Sequence, residues 1–270
     1  MLALILPLVV AQTQVVNGAP LKNPDVGLHV VEQKPVSDSG RLEFTLYPAV
    51  PQLNGLYTQH VGTMGQLTWH LREHFGLTLS GGGNWHNQES RLNGELIDKA
   101  RIEAQSAASL LWTWTAMAGV EVAPFYGKFA LFDSGLAQFS VVINAGAGLG
   151  GTRHLLKPEG STPATYGDTG VRFMGAVGAG FRLTLGQHIA LRLEVRDVVY
   201  TARVDQVNGC SERDFPREFA FNNAIQPVSP TCKATALTPT DAALARGLIK
   251  ERSSEVLNSL GAWAGVSFLY

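Results

Sequence analysis

A two-residue rhythm runs through this chain and restricts what it can become. In HIALRLEVR, residues 188–196, Ile189, Leu191, Leu193 and Val195 fall on one side of an extended backbone, while Arg192, Glu194 and Arg196 fall on the other. Comparable stretches begin near residues 41, 57, 74, 108, 136, 171, 188 and 259, and sustained helical periodicity is rare. Alternate residues can be read through Leu42–Leu46, Tyr57–Trp69, Phe75–Trp85, Leu110–Val122, Phe139–Leu149, Val171–Leu183, Ile189–Val195 and Leu260–Tyr270. None of them is Asp, Glu, Lys or Arg, although these residues make up 16% of the chain. The charges sit on the other parity, at Arg41, Glu43, Glu121, Arg172, Arg182, Arg192, Glu194 and Arg196. Eight strands with one clean apolar face are the expected elements.

Alternation alone does not say which way that face points, because a soluble lipocalin-like barrel gives the same pattern turned inside out. Residue size separates the two. The opposite face carries Thr78, Ser80, Gly82, Gly178, Gly180 and Arg182, a mixture suited to a polar interior. Trp69, Trp85, Trp112 and Trp114 lie on the apolar parity, several near strand ends, where an aromatic girdle meets a membrane interface. The expected fold is all-β: an eight-stranded antiparallel transmembrane β-barrel over residues 41–270. Outer loops are expected at 49–56, 87–105, 152–169 and 203–254, and inner turns near 71–73, 123–135 and 185–187. The 13-residue stretch APFYGKFALFDSG at 123–135 is long for an inner turn. Short helices are expected in TPTDAALARGLIKERSSEVL, starting at Asp241 behind Pro239 and Thr240, and in GELIDKARIEAQ.

No apolar run reaches the roughly 20 residues of a membrane helix. The longest, LALILPLVVA at residues 2–11, reads as the core of a signal peptide ending at Ala11, followed by a periplasmic segment over 12–40. No Lys or Arg precedes it, so translation is expected to start upstream of Met1. In an exported chain, Cys210 and Cys232 are expected to pair, closing the long outer loop and stabilising it by roughly 3 kcal/mol. No histidine lies beside them to complete a zinc site. A formal net charge of −1 argues against a nucleic-acid partner.

An eight-stranded barrel is about wide enough for side chains to fill. Inward Glu121, Arg172, Arg182, Arg192, Glu194 and Arg196 are expected to pair across strands as a plug, with inward glycines leaving room for the arginines. Asp197, on the apolar parity, is expected near the outer interface or at a bulge. Chemistry is poorly served elsewhere. His86, Glu89 and Ser90 in NWHNQES do not share one strand face, and GAGLGG at 146–151 ends a strand with no following helix to hold a phosphate. Neither a catalytic residue nor a cofactor is expected. The last eight residues, with Trp263, Gly265, Phe268 and Tyr270, have the spacing of the C-terminal signal read by barrel-assembly machinery, and the final strand must close against the first.

The chain resembles the outer-membrane β-barrel domain family found mainly in myxobacteria and related bacteria, small OmpA-like barrels of which some belong to the gliding-motility apparatus. The resemblance rests on VVEQKP at 30–35, RLEF at 41–44, PFYGKFAL at 124–131 and LRLEVRDVVY at 191–200. It implies an outer-membrane location and contact with other envelope proteins, and it makes Tyr126, Gly127 and Lys128 an expected periplasmic contact point. The functional expectation is a closed barrel serving as anchor or scaffold, with a narrow channel and a lipid-modifying enzyme as the alternatives.

Overall fold

Each alternating stretch becomes a strand, and the strands close into one ring. The computed structural model describes residues 37–55, 57–92, 110–131, 135–156, 165–215, 229–233, 237–250 and 255–270. The expected signal peptide, most of the expected periplasmic segment over 12–40 and the helix expected in GELIDKARIEAQ lie outside the described residues. The strands are β1 (Leu42–Pro51), β2 (Thr58–Arg72), β3 (Phe75–Glu89), β4 (Leu111–Leu131), β5 (Gly135–Leu155), β6 (Tyr166–Leu185), β7 (Ile189–Thr201) and β8 (Val256–Leu269). Every sequential pair is antiparallel, and β1 returns to β8. The closing seam pairs Phe44 with Phe268 and Leu46 with Val266, so no edge strand remains open.

Side chains sort by parity, as the two-residue period requires. The exposed face carries Phe44, Leu67, Leu79, Val120, Ile143, Phe181, Leu193 and Val266, one from each strand. The interior receives Glu43, Gln66, Glu121, Asn144, Arg182, Arg192, Glu194 and Ser267. At the inner end, tight turns join β2 to β3 and β6 to β7. The second of these depends on Gly186, whose φ of +71° a side chain would disfavour. At the outer end, the long connection after β7 holds a short 3-10 turn (Glu212–Asp214) and helix α1 (Pro239–Lys250). The helix starts two residues before Asp241. Thr238 caps it, its hydroxyl accepting from the Asp241 N–H over 3.3 Å and donating to Asp241 Oδ2 over 2.6 Å, and Pro239 takes the first position, where a missing N–H costs nothing.

The structure corrects several expectations. The segment 123–135 is no loop: β4 and β5 continue through it, pairing on to Leu131 and Gly135 around residues 132–134. The β3 ladder stops at Phe75 and Val122, so β4 runs on alone with β5 for on the order of 25 Å of chain. A register shift between Val122 and Phe125 marks where β4 parts from β3, while β5 stays in the ring, paired with β6 as far as Ala137 and Leu185. A second shift, between Trp112 and Trp114, reverses parity at the outer end of β4, and Trp112 is buried inside rather than set in an outer girdle. GAGLGG lies within β5 instead of ending it. No bulge occurs at Asp197, which sits half-buried in regular ladders opposite Val177 and Leu260.

Candidate functional site

The feature that most limits what this barrel can do is its filled lumen. Two layers fill it, and they differ in chemistry.

The inner layer is ionic. Arg192 makes an ion pair with Glu121, lies 3.5 Å from Glu43 Oε1, and places its Nε 3.1 Å from Glu194 Oε1. Glu194 also accepts from Tyr47 over 2.8 Å and Asn144 over 2.6 Å, and it pairs with Arg196 at 2.8 Å. Arg196 in turn donates to Gln66 over 2.6 Å, and its guanidinium lies 4.5 Å from the Trp263 ring centroid. Below this, Arg182 pairs with Glu43 at 2.8 Å and with Asp38, while His70 Nε2 lies 2.7 Å from the same Glu43 carboxylate. Arg182, Arg192 and Glu194 are each at most 2% exposed. Four carboxylates meet three guanidinium groups, with the His70 ring against one of the carboxylates.

Charge placed this deep is sustained only by partners, since an unpaired buried ion costs several kcal/mol. The sequence makes room through glycine. A Cβ at Gly180 would come within 2.6 Å of Glu194 Cγ, closer than real side chains approach, so glycine on β6 is what lets Glu194 fold back across the lumen.

The outer layer is apolar. Met64, Met117, Met174, Val198 and Trp112 fill the lumen, and Ala242, Ala245, Leu248 and Ile249 of α1 pack with them together with Val204, Val207 and Phe215. Two of its polar groups are tied off: Tyr200 donates to the Leu110 carbonyl over 2.7 Å, and His60 accepts from the Trp112 backbone N–H over 3.3 Å. His60 also stacks on the Trp112 ring, with centroids 5.6 Å apart. The roof is braced by a Cys210–Cys232 disulfide. Asp214 adds a clasp, accepting from the Ser211 N–H and the Ser229 N–H, each over 2.7 Å, and from both hydroxyls. Burial pushes the Asp214 carboxyl up, but the hydrogen bonds from Ser229 and Ser211 outweigh it and hold the group well below the usual carboxylate range.

Of the six residues expected in the interior network, Glu121, Arg182, Arg192, Glu194 and Arg196 come together. Arg172 does not join them. Ten residues above Arg182 on β6, it reaches the outer rim, where it lies 3.2 Å from Asp205 and donates to the Thr169 carbonyl over 3.0 Å. Asp38, Glu43, Tyr47, Gln66, His70 and Asn144 belong to the cluster and were not singled out as site residues. Parity marks all of them but Asp38, which lies in the segment assigned to the periplasm and is fully buried.

At the C-terminus, Trp263 faces the lumen against Tyr47, with ring centroids 5.2 Å apart, and Gly265 leaves space for the Tyr47 ring. Phe268 and Tyr270 face outward. Tyr126, on the part of β4 beyond its last β3 partner, is exposed and lies 6.1 Å from the His74 ring, with Gly127 and Lys128 following it. Among the described residues, no set of three metal-ligating side chains converges, and no helix is long and apolar enough to cross a membrane.

No family model matches the chain, and neither does any curated protein. Among solved structures, the N-terminal β-barrel domain of Pseudomonas aeruginosa OprF is similar over 86% of this chain and 98% of its own, at 9% identity and a TM-score of 0.37. Ail, the attachment invasion locus protein of Yersinia pestis, is similar over 86% of this chain and 99% of its own, at 8% identity and a TM-score of 0.34. The eightfold closed ladder of this chain carries its fold independently of those likenesses.

Proposed function

We propose that the protein spans the bacterial outer membrane as a sealed barrel and serves there as an anchor or scaffold for other envelope proteins. The observation that carries this reading is a belt of exposed apolar side chains contributed by all eight strands, wrapped around a lumen shut by ion pairs. Water would make such a belt costly, and soluble monomers rarely expose apolar patches of that extent. Lipid welcomes it, and a closed ring leaves no backbone group unpaired in the hydrocarbon. Export by the N-terminal apolar run and insertion through the terminal Trp263, Gly265, Phe268 and Tyr270 signal belong to the same reading.

A filled lumen offers no continuous water path, which weighs against a channel, and the reading assigns the chain no catalytic step. Its working surfaces are the ends. At the inner end β4 runs past its last β3 partner with Phe125 and Tyr126 exposed, an open flank that suits contact with a periplasmic partner. The disulfide-braced roof faces outward. The gliding-motility apparatus, to which members of the resembled family belong, is one assembly such an anchor could serve.

Affinity purification of a loop-tagged copy from detergent-solubilised outer membranes, followed by mass spectrometry, tests the scaffold. Envelope proteins retained in fixed ratio, and lost when Tyr126 and Lys128 are replaced by Ala, are the expected result. A barrel that purifies alone would overturn the scaffold role. A protein that urea washes off membranes, with no heat-modifiable gel band, would overturn the membrane barrel itself.

A further inference from the structure

Between the 3-10 turn and helix α1, the outer roof holds an open cleft of about 430 Å³ walled by Glu212, Arg213, Phe215, Arg246 and Lys250. Three of its walls are basic and one is acidic. We infer that this cleft binds a small polyanion carrying more than one phosphate or sulfate group. Arg246 and Lys250 stand four residues apart on α1, so they share one side of the helix and converge on the opening from one wall. Arg213 faces them from the 3-10 turn, and Phe215, 4% exposed, closes the bottom of the cleft with its packed ring. Guanidinium groups match tetrahedral oxyanions through paired N–H donors, and two arginines with a lysine suit a ligand carrying more than one such group. The volume falls within the range of small-molecule sites, about 300–1,000 Å³, and exceeds what a single phosphate fills.

The second observation is how firmly the walls are held. The Glu212–Phe215 wall is fixed from behind by Asp214, which clasps Ser211 and Ser229, and by the Cys210–Cys232 disulfide. The Arg246 and Lys250 wall is fixed because Ala242, Ala245 and Ile249 of the same helix are sunk in the outer core. Cations carried on a fixed backbone lose less freedom on binding than cations on a mobile loop. Neither brace is needed to seal the lumen, which the ionic layer already does.

The placement at the outer end rests on the membrane reading above, whereas the binding chemistry does not. The experiment is titration calorimetry of the refolded full chain in detergent with inorganic tripolyphosphate. Wild type is expected to bind at one saturable site, and the Arg213→Gln/Lys250→Gln double variant to bind about tenfold more weakly or worse. Arg203→Gln, which removes a basic residue paired with Asp205 outside the cleft, is expected to bind as wild type. Equal binding by the double variant and wild type, or no saturable binding by wild type, would overturn the inference. A folded, heat-modifiable band for each protein shows that a loss of binding is not a loss of fold, so failure here leaves the membrane reading standing.

Reconstitution into phosphatidylcholine vesicles with and without lipid A separates two sources of the same chemistry. Tripolyphosphate excluded only when lipid A is present identifies the ligand as a phosphorylated headgroup of the surrounding leaflet. Tripolyphosphate bound equally in both identifies it as a soluble polyanion from outside the cell.

Discussion

The two halves of the lumen solve the same problem with opposite chemistry. The inner half fills its space with charge: Arg192 alone approaches Glu43, Glu121 and Glu194. The outer half fills it with methionine, tryptophan and the apolar face of α1. The inner solution requires every partner to be present, because removing one leaves another charge stranded. The outer solution is graded, since an apolar layer loses stability in proportion to the contact it loses. Ionic pairing thus fixes the register and closure of the ring, while the roof sets how the outer surface is held.

This contrast predicts a ranking. Arg192→Ala leaves the buried Glu121 without its ion pair and takes one partner each from Glu43 and Glu194, and it is expected to destabilise the whole barrel by about 3–5 kcal/mol, read as a lower urea midpoint for the refolded protein in lipid vesicles. Cys232→Ser is expected to cost roughly 3 kcal/mol, felt in the roof and not in the ring. Limited proteolysis should then cut the connection after β7 while the heat-modifiable band survives. Ile249→Ala, which removes a fully buried side chain from α1, is expected to cost about 2 kcal/mol and to loosen the same connection. A result in which Ile249→Ala costs the ring more than Arg192→Ala would reverse the assignment of roles.

The smallest effect is one of pH. The Asp214 carboxyl is held below its ordinary range in the folded roof, so it binds a proton more weakly there than in the unfolded chain. Its contribution is therefore fully present above the unfolded value of about 4 and is lost as the pH falls below it. Proteolysis of the roof should quicken in acid below that value. In Asp214→Asn it should be quick at neutral pH already and depend less on acidity.

Much of this was legible in the sequence because a two-residue period has one physical cause. Once one face is apolar, Glu43, Gln66, Asn144 and Glu194 must turn inward together. What escaped are places where the period slips or distance intervenes. The register shift at Trp112 and Trp114 turns Trp112 inward, and parity carried past it points the wrong way. Pro124 and Gly127 read as turn residues, yet they sit in a hairpin whose other backbone groups pair across β4 and β5. Parity gives a direction but no height, so Arg172 looked like a partner of the residues below it when it lies at the outer rim against Asp205. Asp38 precedes every strand, and only the fold brings its carboxylate to Arg182.

The claim that everything else depends on is that the ionic layer seals a membrane-spanning ring. Single-channel recording on planar bilayers, using protein whose folded, heat-modifiable band has been confirmed after reconstitution, tests it most directly. The structure predicts a silent membrane for wild type and for Ile249→Ala alike, since the inner half closes the lumen without help from the roof. A steady ohmic current from wild type would show a water path through the Glu43, Arg192 and Glu194 layer, and would contradict the sealed barrel.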